Sequence, residues 1–195
     1  MANLRDSNLS GSNLSGRRAD MFIDLKDDPR EDCPTLGDER TTLVEVVRSV
    51  RLTLEIKCAD LDAEAMARRS VEPSTMSLLG LVRHLAEMER ATFRGMMARQ
   101  DVAPLFCSDA DRDGDFDGAV ADPQVVAEAW DAWRAEVDFA TRFVGDAPSL
   151  DVTGNDPWHG PTSLREVLVG TIHEYARHLG HADLLRERLD GRIGQ

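Results

Sequence analysis

Residues 164–189, LREVLVGTIHEYARHLGHADLLRERL, constrain this chain more than any other stretch, because they run without proline and with good helix formers at most positions. Such a run predicts one long helix. Ser163 with Glu166 three residues on is a capping box that opens it, and Gly191 and Gly194 end it. At about 100° per residue, Glu174, His178 and His181 fall within an arc of roughly 60° on one face. A carboxylate and two imidazoles on one face read as a ligand face, and the rest of the chain has to be arranged around it.

Three further segments carry a helical period. Asp38 or Thr41 caps a first helix through Leu43, Val46, Val47, Val50, Leu54 and Lys57, and a short helical piece follows over 62–68. A second helix starts near Ser77, with Leu78, Leu81, Val82, Leu85, Met88 and Phe93 as its buried stripe and His84 beside that stripe. Asp122 and Pro123, an N-cap followed by proline at the first helical position, open a third helix through Val126, Ala129, Trp130, Trp133, Val137, Ala140 and Phe143. Residues 145–161 read as a turn-rich connection, and no segment shows the period-two alternation of a strand. The fold class expected is all-α, a four-helix bundle.

Residues 38–191 form the expected domain, preceded by a leader over 1–37. ANLRD, SNLSG and SNLSG at 2–16 place leucine at every fifth position, as in a pentapeptide repeat, but three units do not complete one coil and cannot bury their apolar face alone. Residues 17–37 are polar and broken by prolines, so the leader is expected to be a disordered or loosely attached arm.

Composition narrows the function classes. The formal net charge of −13 argues against a phosphate backbone or an anionic membrane as partner. No apolar run approaches the roughly 20 residues that span a bilayer, and no basic region followed by an apolar one opens the chain. A cytoplasmic protein is expected. Cys33, Cys58 and Cys107 are widely spaced without a CxxC, which implies neither a disulfide framework nor a thiolate zinc site; they read as reduced, partly buried thiols. Asp109, Asp111, Asp113, Gly114, Asp115 and Asp117 mimic the start of an EF-hand loop, but Val120 stands where the bidentate glutamate belongs, so the stretch reads as a solvated acidic loop.

Glu and His four apart can reach one point, as on the metal-binding helices of bundles, although the same spacing also serves exposed ion pairs. A lone histidine such as His84 is more often an ordinary hydrogen-bonded residue. A bundle site does, however, require a ligand from a second helix, and His84 is in place to supply it.

LLGLVRHLAEMER at 78–90, PLFCSDADRDGDFD at 104–117 and HEYARHLGHADLLRERLDG at 173–191 resemble the DinB-like superfamily, in its actinobacterial branch of uncharacterised proteins. The resemblance covers roughly 35–191. It implies a four-helix bundle with a metal at one end of its core, held by His84 from the second helix and by Glu174 and His178 from the last. The Glu and His pair is similar to that of the mycothiol-dependent maleylpyruvate isomerases, which are zinc proteins. His173 stands where close relatives often have an acidic residue; it points about 100° away from Glu174 and is left out of the ligand set. His181 stands where many members have glutamine and is assigned to substrate contact and proton transfer, as the candidate catalytic residue.

Two imidazoles and one carboxylate suit Zn²⁺, with Ni²⁺ or Fe²⁺ as alternatives, and three protein ligands leave a coordination position open. The resemblance implies transfer of a low-molecular-weight, mycothiol-like thiol to a small electrophilic substrate, with Arg83 or Arg177 as candidate contacts to a substrate anion. Two other readings stay open. One is a hydrolase with a metal-activated water and Glu87 as general base. The other is a non-catalytic bundle acting in binding or as a homodimer.

Overall fold

The computed structural model describes residues 23 and 25–194; the leucine repeats at 2–16 lie outside the described residues. Helix α1 spans Glu39–Cys58, the short α2 spans Ala63–Ala67, and α3 spans Leu78–Glu89 and continues as a π-helix over Arg90–Met97. After a single-turn α4 (Gly114–Asp117) comes α5 (Pro123–Asp146), then strands β1 (Thr153–Asp156) and β2 (Gly160–Ser163), and finally α6 (Leu164–Asp190). The fold is all-α apart from that hairpin.

The helix ends follow from local chemistry. The side chains of Asp38, Asp62, Ser77, Asp122 and Ser163 each accept a backbone N–H in the first turn of α1, α2, α3, α5 and α6. Each satisfies a donor that the helix itself leaves without a partner. Gly191 ends α6 with φ 77°, a left-handed conformation that glycine adopts without steric cost.

The hairpin departs from the sequence expectation. Residues 145–161 are not simply turns: β1 and β2 pair antiparallel from Thr153↔Ser163 to Asp156↔Gly160. Each strand has four residues, TGND and GPTS, too short and too poor in β-branched residues to show a strand period. Gly154 lets the hairpin press on the π-helix, since a Cβ there would stand 2.6 Å from the Met96 carbonyl oxygen.

Helix α3 packs on α5, α1 on α6, and α3 on α6. Leu54, Leu79, Leu85, Trp133, Tyr175 and Leu185 fill one part of the core, and Phe93, Val144, Leu164 and Leu168 another. Two residues placed on buried stripes are in fact exposed, Val46 at 39% and Met88 at 36%. Val46 and Val47 lie 100° apart, and Val47 takes the core position; Met88 faces a cleft between α3 and α6.

One polar chain crosses the core and takes one residue from each long helix. Arg51 of α1 donates from Nε and Nη2 to the two carboxylate oxygens of Glu89 at 2.8 and 2.7 Å. The Tyr175 hydroxyl of α6 donates to Glu89 Oε1 at 2.9 Å, and Trp133 Nε1 of α5 donates to that hydroxyl at 2.8 Å. A buried charge pair is tolerated where geometry is good and its remaining capacity is used, as here. Residues 28–30 rest against α1: Arg30 holds the buried Asp28 and donates to Thr53 Oγ1 at 3.0 Å, while Arg48 donates to the Pro29 carbonyl at 3.3 Å. Among the described residues no helix is long and apolar enough to cross a membrane.

Candidate metal centre

The stripe of α3 and the ligand face of α6 meet at one end of the core. There His84, Glu174 and His178 each offer a ligand atom, and these atoms lie within 4.8 Å of one another. Glu174 Oε1 stands 3.0 Å from His178 Nε2 and 3.3 Å from His84 Nε2. The two rings approach to 4.7 Å between centroids. Both imidazoles thus turn Nε2 toward the carboxylate, and both have Nδ1 occupied from outside the group.

For His84 the outer partner is Asp115, whose Oδ2 lies 2.8 Å from Nδ1. The expectation of a wholly solvated acidic loop fails at this residue. Asp111, Asp113 and Asp117 are exposed, but Asp115 is turned inward and is 5% exposed. Contacts distant in sequence cause this. Arg83 Nε donates to the Asp115 carbonyl and Nη2 to the Gly114 carbonyl, both at 2.8 Å, with the guanidinium over the Phe106 ring. Gly114 fits against the Phe106 carbonyl where a side chain could not. Glu87 accepts the backbone N–H groups of Phe106 and Cys107. The loop is thereby sewn to α3, and Phe116 stacks on His84 at 5.2 Å. A carboxylate on the far nitrogen of a ligating histidine fixes its tautomer and raises its basicity. Asp115 is the residue that sequence reasoning missed; the only signal was that its loop lay within one of the three quoted motifs.

For His178 the outer partner is His181, with Nδ1 to Nδ1 at 3.3 Å. His181 stands outside the converging group. His173 is exposed and lies 3.4 Å from Arg177 Nη2, while Arg177 Nη1 stands 4.0 Å from Glu174 Oε2. Of the two candidate anion contacts, Arg83 is therefore committed to the loop and Arg177 stays near the site. Glu87, the base that a hydrolase would have needed, is held by loop N–H groups instead.

The electrostatics suit a cation. Burial opposes protonation of His84, but the carboxylates of Asp115 and Glu174 outweigh it and hold the imidazole above its ordinary value. Burial also opposes ionisation of Glu174, and the hydrogen bond from His84 with the charge of His178 overcomes it, lowering the carboxyl. His178 is lowered by burial first and by the neighbouring His84 second. A carboxylate and two Nε2 atoms with fixed outer partners are a donor set that could hold a divalent ion. From Glu174 a cleft of about 430 Å³ runs between α3, the π-helix and α6 to the hairpin, where Asp156, His159 and Thr162 line its end.

An all-α chain whose second and last long helices bring this trio together falls in the DinB-like class that the motifs indicated. The family model described as mycothiol-S-transferase matches residues 42–191, and the chain belongs to that family. No curated protein and no solved structure matches the chain significantly.

Proposed function

We propose that the protein is a metal-dependent enzyme that activates a low-molecular-weight thiol, mycothiol in the family's own terms, and transfers it to a small electrophile. The carrying observation is the convergence of His84 Nε2, His178 Nε2 and a Glu174 oxygen, with Glu174 also lining an open cleft. Membership of the mycothiol-S-transferase family supports the choice of thiol over water. His84, Glu174 and His178 would hold the ion, and the two-nitrogen, one-oxygen set favours Zn²⁺, with Ni²⁺ and Fe²⁺ as alternatives. When bound, a divalent ion supplies Lewis acidity that lowers the pKa of a thiol beside it.

The protein's own groups supply the remainder. Asp115 orients His84, and Glu174 contributes the negative charge. With His178 holding the ion through Nε2, its Nδ1–H would donate to His181 Nδ1, which leaves His181 Nε2–H as a donor that orients the substrate while the thiol proton passes to solvent. The sulfur lone pair then forms the new C–S bond, and the displaced group of the electrophile leaves with the old bonding pair. A small reduced thiol as partner fits a cytoplasmic setting.

The test is elemental analysis of protein purified without added metal, followed by electrophile consumption with and without mycothiol, with His178→Ala as control. The expected result is bound zinc, thiol-dependent consumption and loss of both in the variant. Equal rates with and without thiol would sink the proposal.

A further inference from the structure

Helix α1 packs on α6 and α5 packs on α3, which leaves the side of the bundle between α1 and α5 open. The two helices approach each other near both ends of that side. At one end Arg40 of α1 donates from Nη1 and Nη2 to the Val144 and Ala147 carbonyls, both at 2.8 Å. At the other, Arg134 of α5 stands 3.9 Å from Glu55 of α1. Between these contacts lies a groove of about 670 Å³, whose apolar lining includes Val44 and Val47 of α1, Val137 of α5 and Leu168 of α6. Among the described residues none lines both this groove and the cleft beside Glu174. Arg51 and Trp133 line the groove while their partners Glu89 and Tyr175 line the cleft, so the buried polar chain is the wall between them.

Charge gives the groove its second property. Its lining carries four arginines and three carboxylates, in a chain whose net charge is −13. The cleft beside Glu174, by contrast, is lined by carboxylates and, among the described residues, by no lysine or arginine. Three of the four guanidiniums are already engaged. Arg40 holds the end of α5, Arg48 donates to Glu45 at 2.9 Å, and Arg51 is paired with Glu89. Arg134 is different: Glu55 and Asp131 stand at 3.9 and 4.0 Å from it, beyond hydrogen-bond distance, and its guanidinium lies over the Trp130 ring at 5.4 Å. Stacking on a ring face leaves the in-plane N–H donors open to a planar acceptor such as a carboxylate. Of the lining carboxylates, Glu45 is neutralised by Arg48, and Asp138 is exposed to water, which screens it. The volume lies within the usual range of small-molecule sites.

We infer that this groove is a second ligand site, for a small molecule with an apolar chain that ends in a single carboxylate. The chain lies along the valines and Leu168, and the carboxylate pairs with Arg134 at the Glu55 end. Burial of the chain supplies the affinity, and the guanidinium supplies the choice of head group. The assignment stands apart from the thiol-transfer reading, since neither uses the other's residues.

Calorimetric titration with decanoate, kept below the concentration at which it forms micelles, tests the assignment. Wild-type protein binds it. Acetate, which has the carboxylate alone, gives no measurable binding, and decyltrimethylammonium, which has the chain with the opposite charge, binds at least about tenfold more weakly. Thr141→Phe, at an exposed position of α5 that lines the groove, puts a ring where the chain lies and weakens decanoate at least about tenfold. Arg134→Gln, also exposed, weakens decanoate about fivefold and does not weaken decyltrimethylammonium. Circular dichroism and a zinc titration of both variants report the fold and the metal site. Failure of decanoate to bind wild-type protein overturns the inference, as does decyltrimethylammonium that matches it. So does decanoate binding unmoved by Thr141→Phe or by Arg134→Gln, the pattern expected of a carboxylate that ligates a bound ion instead. Transfer activity plays no part in these readouts, so the groove assignment and the thiol-transfer reading fail separately.

Discussion

Asp115→Asn is the substitution that most directly probes how the centre is built. The carboxylate is buried and holds His84 by Nδ1 at 2.8 Å, so the amide keeps the shape while removing the charge that fixes the ring. Loss of such an outer partner typically weakens metal binding about 10–100-fold, or about 1.4–2.7 kcal/mol. If the trio binds zinc as proposed, a free zinc concentration of about 100 times the wild-type Kd would stabilise the wild-type fold by about 2.7 kcal/mol. The same concentration stabilises the variant by only about 0.4–1.4 kcal/mol. For a chain of this size those figures correspond to zinc-induced rises in Tm of about 5–11 °C for wild type and about 1–6 °C for the variant. Melts of both proteins with chelator and with buffered zinc measure this directly, because the chelator arm subtracts any cost to the loop itself. Asp113→Asn, two residues away and exposed, serves as control and should keep the full wild-type rise. A zinc response in Asp115→Asn equal to wild type, or an equal loss in Asp113→Asn, would refute the role assigned to this carboxylate.

Other consequences can be read from the core and the turns. Arg51→Ala leaves the Glu89 carboxylate buried without its cation and should cost about 3–5 kcal/mol in urea denaturation, whereas Arg68→Ala, at an exposed single pair with Glu64, should leave the midpoint almost unmoved. Gly154→Ala drives a methyl group against the Met96 carbonyl and should destabilise by about 1–3 kcal/mol, while Gly180→Ala, with open space around it in α6, should stabilise by about 0.5–1 kcal/mol; thermal melts compare them. Burial pushes the Cys58 thiol from an ordinary value of 9.0 up to about 12. Its contribution to stability is therefore complete below pH 9 and is lost as pH climbs from 9 toward 12, so the gap in denaturation midpoint between wild type and Cys58→Ala should shrink over that range.

What the sequence disclosed and what it concealed divide along a physical line. Helix positions and caps were legible because they depend on neighbours within four residues: Ser77, Asp122 and Ser163 cap where their local sequence says they should. The meeting of His84 with Glu174 and His178 was implied by the family resemblance, and the helical period agreed with it by placing Glu174 and His178 on one face. Asp115 was not, since a loop has no period and its inward turn depends on Arg83 and Glu87, both roughly 30 residues upstream. The π-helix was invisible for a related reason. It keeps the composition of α3 and only changes the residues per turn, which no single apolar position reports. The β-hairpin packs closely on Met96 at Gly154, a tertiary contact that no local pattern reports, and its strands lack intrinsic strand character.

The packing of α6 on α1 also sets when a growing chain could first grip an ion. Arg186 of α6 is fully buried and donates from Nη1 to the Lys57 and Ala59 carbonyls at the end of α1, both at 2.8 Å and across 129 and 127 residues. His84 and Asp115 are synthesised early and lie 31 residues apart, whereas Glu174 follows His84 by 90 residues. At synthesis rates of roughly 5–20 residues per second, the two halves of the trio emerge several seconds apart. A partial product ending before α6 therefore carries one histidine and its carboxylate, a pair with little hold on zinc. If the trio holds an ion as proposed, capture would have to wait until Glu174 and His178 have emerged and α6 has packed against α3.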